Sequence, residues 1–155
     1  MVAIDSDVFL LDLMYQRDVR CGPNARFLEA VRAARPATTV YNLMEVLGKL
    51  SFNVPAKTLD EWPDALRQSY GLTVIWPDPA DLDADSFFHG ELYQRPLALM
   101  KAQRVAFLDA LVLSLVERTP DVEAFVTWNA RHFRGKTSLP VVTPEEYLTA
   151  GARQL

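Results

Sequence analysis

The chain opens with Val2-Ala3-Ile4-Asp5-Ser6-Asp7-Val8, a short apolar run that ends abruptly in three polar residues. The apolar run predicts a buried strand, and the polar residues predict the N-terminus of a helix that continues to Met14. An aspartate that directly follows a strand lies at the edge of any parallel sheet that the strand joins. The stretch therefore predicts an α/β fold with a candidate functional carboxylate at the end of its first strand.

Short strands and longer helices alternate along the rest of the chain. Because the strands are apolar without strict alternation, helices are expected to cover both faces of the sheet. We expect a three-layer α/β/α fold with a central parallel sheet of four to five short strands. The further predicted strands are Ala37–Val40, Leu72–Trp76, Ala124–Trp128 and Val141–Val142. The further predicted helices are Asn24–Ala34, Tyr41–Leu50, Thr58–Tyr70, Asp81–Gln94, Ala102–Glu117 and Pro144–Ala150.

Length and composition predict a single domain over residues 1–155, half of which are apolar. The formal net charge of −4 argues against a protein that coats nucleic acid by bulk electrostatics. It allows a nuclease, because bound cations can reverse the sign of an acidic cleft. The single cysteine, Cys21, excludes an internal disulfide and suits a reducing cytoplasm. No secretory signal is visible and the longest apolar stretch, Phe107–Val116, is too short to span a bilayer, so we expect a soluble cytoplasmic protein without membrane association.

Three acidic residues and one asparagine are the candidates for chemistry. Asp5 and Asn129 directly follow predicted strands, and Glu45 lies about one turn into the helix after the second strand. Asp109 interrupts a strongly apolar helix, where a carboxylate needs a partner. Mg²⁺ and Mn²⁺ prefer carboxylate oxygens, and two such ions can activate a water and stabilise the leaving oxygen in phosphodiester hydrolysis. The spacing therefore predicts a divalent-metal site where the parallel strands end.

Residues that follow strands also have an ordinary structural explanation. Asp5 or Asp7 can act only as the N-cap of the first helix, for which aspartate is a favoured residue. Ser6 and Asp7 can also cap, which would leave Asp5 for another task. Asn129 can cap a short helix in the same way.

The two acids inside helices have ordinary explanations as well. Glu45 can be a solvated residue on a helix surface, as most glutamates are. Asp109 can form a buried salt bridge, with Arg104 or Arg118 as the nearest candidates.

Other kinds of site fit the sequence poorly. The six glycines include no GxGxxG or Walker spacing, so no phosphate-binding loop is predicted. His89 and His132 lack a zinc-ligand spacing. Cys21 has no histidine nearby in the sequence and is expected to be structural.

Four short motifs, in this order, resemble the PIN-domain family, particularly the VapC-type toxins of bacterial and archaeal toxin–antitoxin pairs. The resemblance runs from Val2 to about Thr143, nearly the whole chain. The motifs are Ile4-Asp5-Ser6-Asp7-Val8, the segment Thr39–Leu50, Leu108-Asp109-Ala110-Leu111, and Phe125-Val126-Thr127-Trp128-Asn129-Ala130-Arg131-His132-Phe133.

The resemblance implies a metal-dependent endoribonuclease that cuts RNA by in-line attack of an activated water. Asp5, Glu45 and Asp109 would hold Mg²⁺ or Mn²⁺, and Asn129 would add a carbonyl ligand or orient a water. The resemblance also implies a homodimer and a cognate antitoxin that inserts into the active cleft.

Four further residues are expected to contact the substrate or steady the acids around it. Ser6 would steady Asp5 and lie beside the substrate, and Thr127 belongs to the closing motif. Arg131 and Arg104 are candidates for contacts with phosphates.

Departures from the family's pattern leave other functions open. Asn129 stands where the family often has a fourth acid, so less negative charge is available for a second ion. The segment Ser51–Tyr70 is longer than in the smallest members. The first alternative is therefore a catalytically weak or inactive PIN-like module that binds RNA or protein. A further alternative is a metal-dependent hydrolase of small phosphate esters.

Overall fold

A computed structural model describes residues 1–151, and its centre is a sheet of five parallel strands. Along the sheet the strands follow the order β3-β2-β1-β4-β5, so the first strand lies in the middle with β2 and β4 on either side. The three-layer α/β/α class with a parallel sheet is confirmed. The strands are β1 (Val2–Ile4), β2 (Pro36–Thr39), β3 (Thr73–Ile75), β4 (Ala124–Val126) and β5 (Val141–Val142).

Helices connect the strands and form the two outer layers. A 3₁₀ turn, Arg32–Ala34, ends α2, and a π-helical turn, Gly90–Gln94, joins α6 to α7. The helices are α1 (Ser6–Met14), α2 (Cys21–Val31), α3 (Val40–Leu50), α4 (Ala56–Leu59), α5 (Trp62–Tyr70), α6 (Ala84–His89), α7 (Arg95–Gln103), α8 (Phe107–Arg118), α9 (Ala130–Phe133) and α10 (Pro144–Gly151).

The central strand shows why both layers are needed. Val2 and Ile4 pack with α1, α2 and α3 on one face of the sheet. Ala3, between them, packs with α8 on the opposite face. Every residue of β1 is therefore buried, as the apolar run without alternation predicts.

The topology identifies the edge of the sheet where a site is expected. The connections from β1 to β2 and from β2 to β3 pass over the face that α1, α2, α3 and α5 cover, whereas α8 and α9 cover the other face. The direction of strand addition thus reverses between β1 and β4. A crevice opens beyond the carboxyl ends of two such strands, and ligands of open α/β sheets bind there.

The predicted helix Ala102–Glu117 is wrong as a single element, and the difference matters for the site. The helix breaks at Arg104, whose φ of 52° lies in the left-handed region, and a new helix starts at Phe107. The break lets α7 fold back against α8, which it contacts extensively. Asp109 consequently lies in the first turn of α8, not in the middle of a buried helix.

The remaining differences concern the ends of elements. The predicted helix Thr58–Tyr70 is divided into α4 and α5, and the predicted helix Asp81–Gln94 starts at Ala84 and extends through its π turn to Gln103. Three predicted strands end early, because Val40 already belongs to α3, β3 stops at Ile75 and β4 stops at Val126. Helix boundaries depend on caps and packing that a periodic pattern does not specify.

Two expectations concern the chain as a whole. Residues 152–155 of the predicted single domain lie outside the described residues. No helix within residues 1–151 is both long and apolar enough to cross a bilayer.

Candidate active site

Asp5 lies where β1 ends, at the crevice between β1 and β4. Its backbone N–H donates to the carbonyl of Val126 on β4 (3.0 Å). Its Oδ1 accepts hydrogen bonds from the N–H of Ser6 (2.8 Å) and from Nδ2 of Asn42 (2.7 Å). The Asp5 carboxylate therefore does cap α1, which was the ordinary explanation for an aspartate at this position. It also accepts a hydrogen bond from α3, through Asn42, and is almost completely buried.

A short chain of hydrogen bonds connects Asp5 with Glu45. The Ser6 hydroxyl donates to Oε2 of Glu45 at 2.6 Å and lies 3.5 Å from Oδ1 of Asp5. Asn42 and Glu45 are three residues apart, so both project from the same face of α3 toward the end of β1. The structure thus brings Asp5 and Glu45 together, and it identifies Ser6 as the residue between them.

The start of α3 orients Asn42 toward Asp5. Thr39 is the N-cap of α3, where its Oγ1 accepts the N–H of Asn42 (3.1 Å) and donates to Oδ1 of the same residue (2.7 Å). With Oδ1 occupied as an acceptor, Nδ2 is the atom left to donate to Asp5. All three side chains are buried, so the arrangement is rigid.

Asp7 binds the loop after β4, a role that the sequence did not suggest. Its carboxylate accepts from the hydroxyl of Thr127 (2.9 Å) and from the backbone N–H groups of Trp128 (3.2 Å) and Asn129 (3.1 Å). This carboxylate is partly buried and does not cap α1. Asp7 therefore fixes the position of the β4–α9 loop beside Asp5.

Asp5, Asp7 and Glu45 form an acidic cluster, and burial raises the pKa of Asp5 and of Asp7. Desolvation by burial is the largest cause that raises the pKa of Asp5 from 3.8 to about 7, and the negative charge of Asp7 is the next. Hydrogen bonding from the Thr127 side chain and the Ser6 N–H opposes this rise, and the charge of Glu45 adds to it. The single hydroxyl proton of Thr127 is directed at Asp7, so Asp5 gains little from that hydroxyl.

Burial also raises the pKa of Asp7, against the hydrogen bonds that it accepts from the loop. Arg20 lowers this pKa through its positive charge, but it forms its salt bridge with Asp18. Within residues 1–151, no salt bridge involves Asp5, Asp7 or Glu45. The cluster therefore favours bound positive charge.

Asp109 contacts a different partner from those expected. Its Oδ2 lies 3.1 Å from Nε2 of His132, and its side chain is 29% exposed. The alternative explanation of a buried salt bridge with Arg104 or Arg118 is wrong, because Arg118 pairs with Glu91 and Arg104 is exposed at the end of α7. Asp109 needs no buried cation, since the start of α8 is open to solvent.

Asp109 nevertheless lies near the edge of the sheet at which Asp5 lies. The helix α8 precedes the parallel strand β4, so its N-terminus lies near the carboxyl ends of the strands. His132 is on α9, which directly follows β4, and its contact with Asp109 links these two elements. No hydrogen bond joins Asp109 to Asp5 or Glu45 within the described residues.

Asn129 is exposed at the start of α9 and makes no side-chain capping bond there. The expectation that its side chain caps this helix is therefore wrong. Its backbone N–H contacts Asp7 and Thr127, which aligns the residue with the acidic cluster. The amide side chain remains available to a ligand.

The four predicted substrate contacts divide into two kinds. Thr127 is completely buried and Ser6 nearly so, and both donate to carboxylates of the cluster. They are positioning residues in this arrangement. Arg131 and Arg104 are exposed, as contacts with a substrate require.

Sequence reasoning missed Asp7, Asn42 and His132 as members of the site. The spacing of Asn42 and Glu45 on one helix face was a usable signal for Asn42. The spacing of Asn129 and His132, also three residues apart after a strand, was the corresponding signal for His132. No sequence signal connects Asp7 with residues 127–129, because a tertiary contact makes that connection.

The donor set suits a hard divalent cation. Mg²⁺ and Mn²⁺ sites require oxygen ligands, and Asp5 and Glu45 supply carboxylate oxygens. Asp109 and Asn129 lie at the same edge of the sheet and carry further oxygens. Among residues 1–151, no three His, Cys, Asp or Glu side chains are already gathered in a metal-binding arrangement. The buried carboxyl with a raised pKa is the observation that fits a cation, because positive charge would relieve its repulsion from Asp7 and Glu45.

Fold and site together define a class: a parallel α/β protein with a cluster of acidic side chains where its central strands end. A scan against models of protein families found no match to this chain, and a search of curated proteins found none either. The resemblance to the PIN-domain family therefore stays a prediction that depends on short motifs and their order.

Proposed function

We propose that this chain is a divalent-metal-dependent endoribonuclease that hydrolyses RNA phosphodiester bonds. The observation that carries the proposal is the buried Asp5 carboxyl, which lies beside Asp7 and Glu45 at the carboxyl edge of the sheet and has a pKa raised to about 7. Burying such a carboxyl without a basic partner costs stability, which makes Asp5 a candidate for a functional role.

The proposed metal ligands are Asp5, Glu45 and Asp109, with Mg²⁺ or Mn²⁺ as the ion. A divalent ion supplies an activated water and charge compensation in phosphodiester hydrolysis. Ser6 and Asn42 hold Asp5 in place through their hydrogen bonds. His132 orients Asp109 through its contact at 3.1 Å.

Asn129 is exposed beside the acidic cluster, where its amide can contact the substrate or add a neutral oxygen ligand. Its neutral side chain makes the site less acidic than a fourth carboxylate would. We infer that less negative charge at this position weakens binding of a second ion before the substrate arrives.

RNA as the substrate and a toxin role follow from the motif resemblance alone. In that setting we propose a homodimer and an antitoxin protein that inserts into the proposed active cleft. Growth arrest on induction of the wild-type chain, and normal growth on induction of Asp5→Asn at equal abundance, would support the toxin role. Equal growth in both cases would argue against it.

The activity is tested with a labelled single-stranded RNA incubated with Mg²⁺, with Mn²⁺ or with EDTA. We expect internal cleavage with either ion, none with EDTA, and a loss of about 10²-fold or more in Asp5→Asn. A small phosphomonoester serves as a second substrate. Hydrolysis of the monoester without cleavage of RNA would replace the proposal with a small-ester hydrolase.

A non-catalytic RNA- or protein-binding module is the second candidate. It is favoured by Asp109, which contacts His132 without a hydrogen bond to the other acids, and by the neutral Asn129. RNA binding by the wild type without cleavage under any of the metal conditions would favour this module.

A further inference from the structure

A cavity of about 330 Å³ lies at the start of α9 and is lined by Asn129, Arg131, His132 and Lys136. Its size lies at the lower end of the range for small-ligand sites, which suits a phosphate with part of its sugar. The N-cap residue Asn129, the short helix α9 and the turn that follows it supply the lining. The cavity is therefore held by an element that Asp7 anchors to the site through Asn129.

Two of the four lining residues carry a positive charge. Within residues 1–151, neither Arg131 nor Lys136 forms a salt bridge. Arg134, between them in the sequence, differs because it pairs with Glu146 and donates to the carbonyl of Val141. The chain thus directs two uncompensated cations at one cavity although its net charge is −4.

The cavity lies one side chain away from Asp109, a proposed metal ligand. His132 lines the cavity and also contacts Asp109, so one side chain separates an anion in the cavity from this carboxylate. Asn129 borders both regions as well. Acidic and basic groups that lie this close suit a ligand with more than one phosphate in a chain.

We propose that this cavity binds a phosphate of the RNA strand that neighbours the phosphate to be cut, with Arg131 and Lys136 as the contacting cations. The proposal rests on the proposed nuclease function for the identity of its ligand. Arginine and lysine contacts to phosphate fix the register of a strand without reading its bases. The cavity therefore determines which phosphodiester reaches the acids, and not which base is recognised.

The test measures binding of a fluorescent single-stranded RNA by anisotropy in EDTA, where no cleavage is expected, over a range of salt concentrations. The wild type is compared with the double variant Arg131→Ala, Lys136→Ala. The matched control is Arg26→Ala, Lys57→Ala, which removes two exposed positive charges that do not line the cavity. Thermal melting of each variant checks that the fold is intact.

We expect the double variant to bind RNA about tenfold more weakly than the wild type, while the control variant changes far less. The slope of log affinity against log salt should fall by about 0.7 for each phosphate of the single strand that the variant no longer neutralises. A charge-reversed pair, Arg131→Glu, Lys136→Glu, should weaken binding further.

Equal affinities and equal salt slopes in the double variant and the control would overturn the proposal. Binding of inorganic phosphate that the double variant loses, without binding of RNA by the wild type, would overturn the assignment to an RNA strand. If only the nuclease function is wrong, the cleavage assay shows intact RNA, while the binding assay still shows that the double variant binds RNA more weakly than the control.

Discussion

The replacement of Asp5 by asparagine separates the charge of this residue from its structural role. Asparagine has nearly the same shape and retains an oxygen that can accept from the Ser6 N–H and from Asn42 Nδ2. It removes the negative charge that burial and Asp7 disfavour. The substitution therefore tests whether the negative charge of the Asp5 carboxylate stabilises or destabilises the folded protein.

The magnitude follows from the shift in pKa. One pKa unit corresponds to about 1.4 kcal/mol, so a rise from 3.8 to about 7 gives an upper bound of roughly 4 kcal/mol. The folded protein binds the proton more tightly than the unfolded chain does, so stability from this group is complete below pH 3.8 and is lost as pH rises to about 7. Above pH 7 the loss is constant.

We therefore expect Asp5→Asn to be more stable than the wild type at pH 8 without metal, by about 1 to 4 kcal/mol. The difference should shrink steadily as the pH is lowered toward 4. Urea denaturation in EDTA at several pH values measures it. The matched control is Asp81→Asn, because Asp81 is exposed and lies outside the acidic cluster.

The same samples test the metal assignment when Mn²⁺ is added. A ligand that binds only the folded state stabilises it, so Mn²⁺ should raise the stability of the wild type and have little effect on Asp5→Asn. A variant that is less stable than the wild type at pH 8 in EDTA would refute the account of burial and charge. Equal stabilisation of both proteins by Mn²⁺ would refute the role of Asp5 as a ligand.

Three further substitutions test the surroundings of the acids. Asn42→Ala removes the buried donor to Asp5 and should cost about 1 to 3 kcal/mol in the free energy of unfolding, measured by urea denaturation. His132→Ala leaves Asp109 unoriented and should raise the Mn²⁺ concentration needed for half-maximal cleavage by about 10-fold to 100-fold, measured by titration. Glu91→Ala leaves two partly exposed arginines without their buried carboxylate and should cost about 3 kcal/mol, measured by thermal melting.

Each of these predictions has an outcome that contradicts it. Unchanged stability of Asn42→Ala would mean that water replaces the amide as donor. An unchanged Mn²⁺ requirement in His132→Ala would remove the positioning role of this histidine, and His132→Asn serves as the variant that retains a hydrogen-bond donor. For Glu91, Glu91→Gln should recover part of the loss, because its amide oxygen can still accept from Arg95 and Arg118 in place of Oε2 while its NH₂ group faces the Tyr41 hydroxyl.

The hydrogen bonds of Glu91 lie at the end of the predicted helix Asp81–Gln94, where the sequence pattern did not predict a buried glutamate. Glu91 lies in the π-helical turn, is almost completely buried, and accepts hydrogen bonds from Tyr41, Arg95 and Arg118. A glutamate in this sequence context is indistinguishable from a solvated one. Its partners come from α3, α7 and α8, which meet only after the chain has folded.

Local sequence patterns were enough to establish the alternation of strands and helices and the parallel α/β class, because both depend on apolar runs and turn residues. The same patterns established that Asp5 ends a strand and that Glu45 lies one turn into the next helix. Strand ends and helix starts are encoded within a few residues, so these features could be predicted before the fold was known.

Contacts between side chains that are far apart in the sequence are decided by the tertiary structure. The bonds from Asn42 to Asp5 and from Asn129 to Asp7 join residues that are 37 and 122 positions apart. The left-handed turn at Arg104 moved Asp109 to the first turn of α8, where it contacts His132 and not an arginine. Crossover connections bring distant segments to one edge of the sheet, and no local pattern encodes the partners that they meet there.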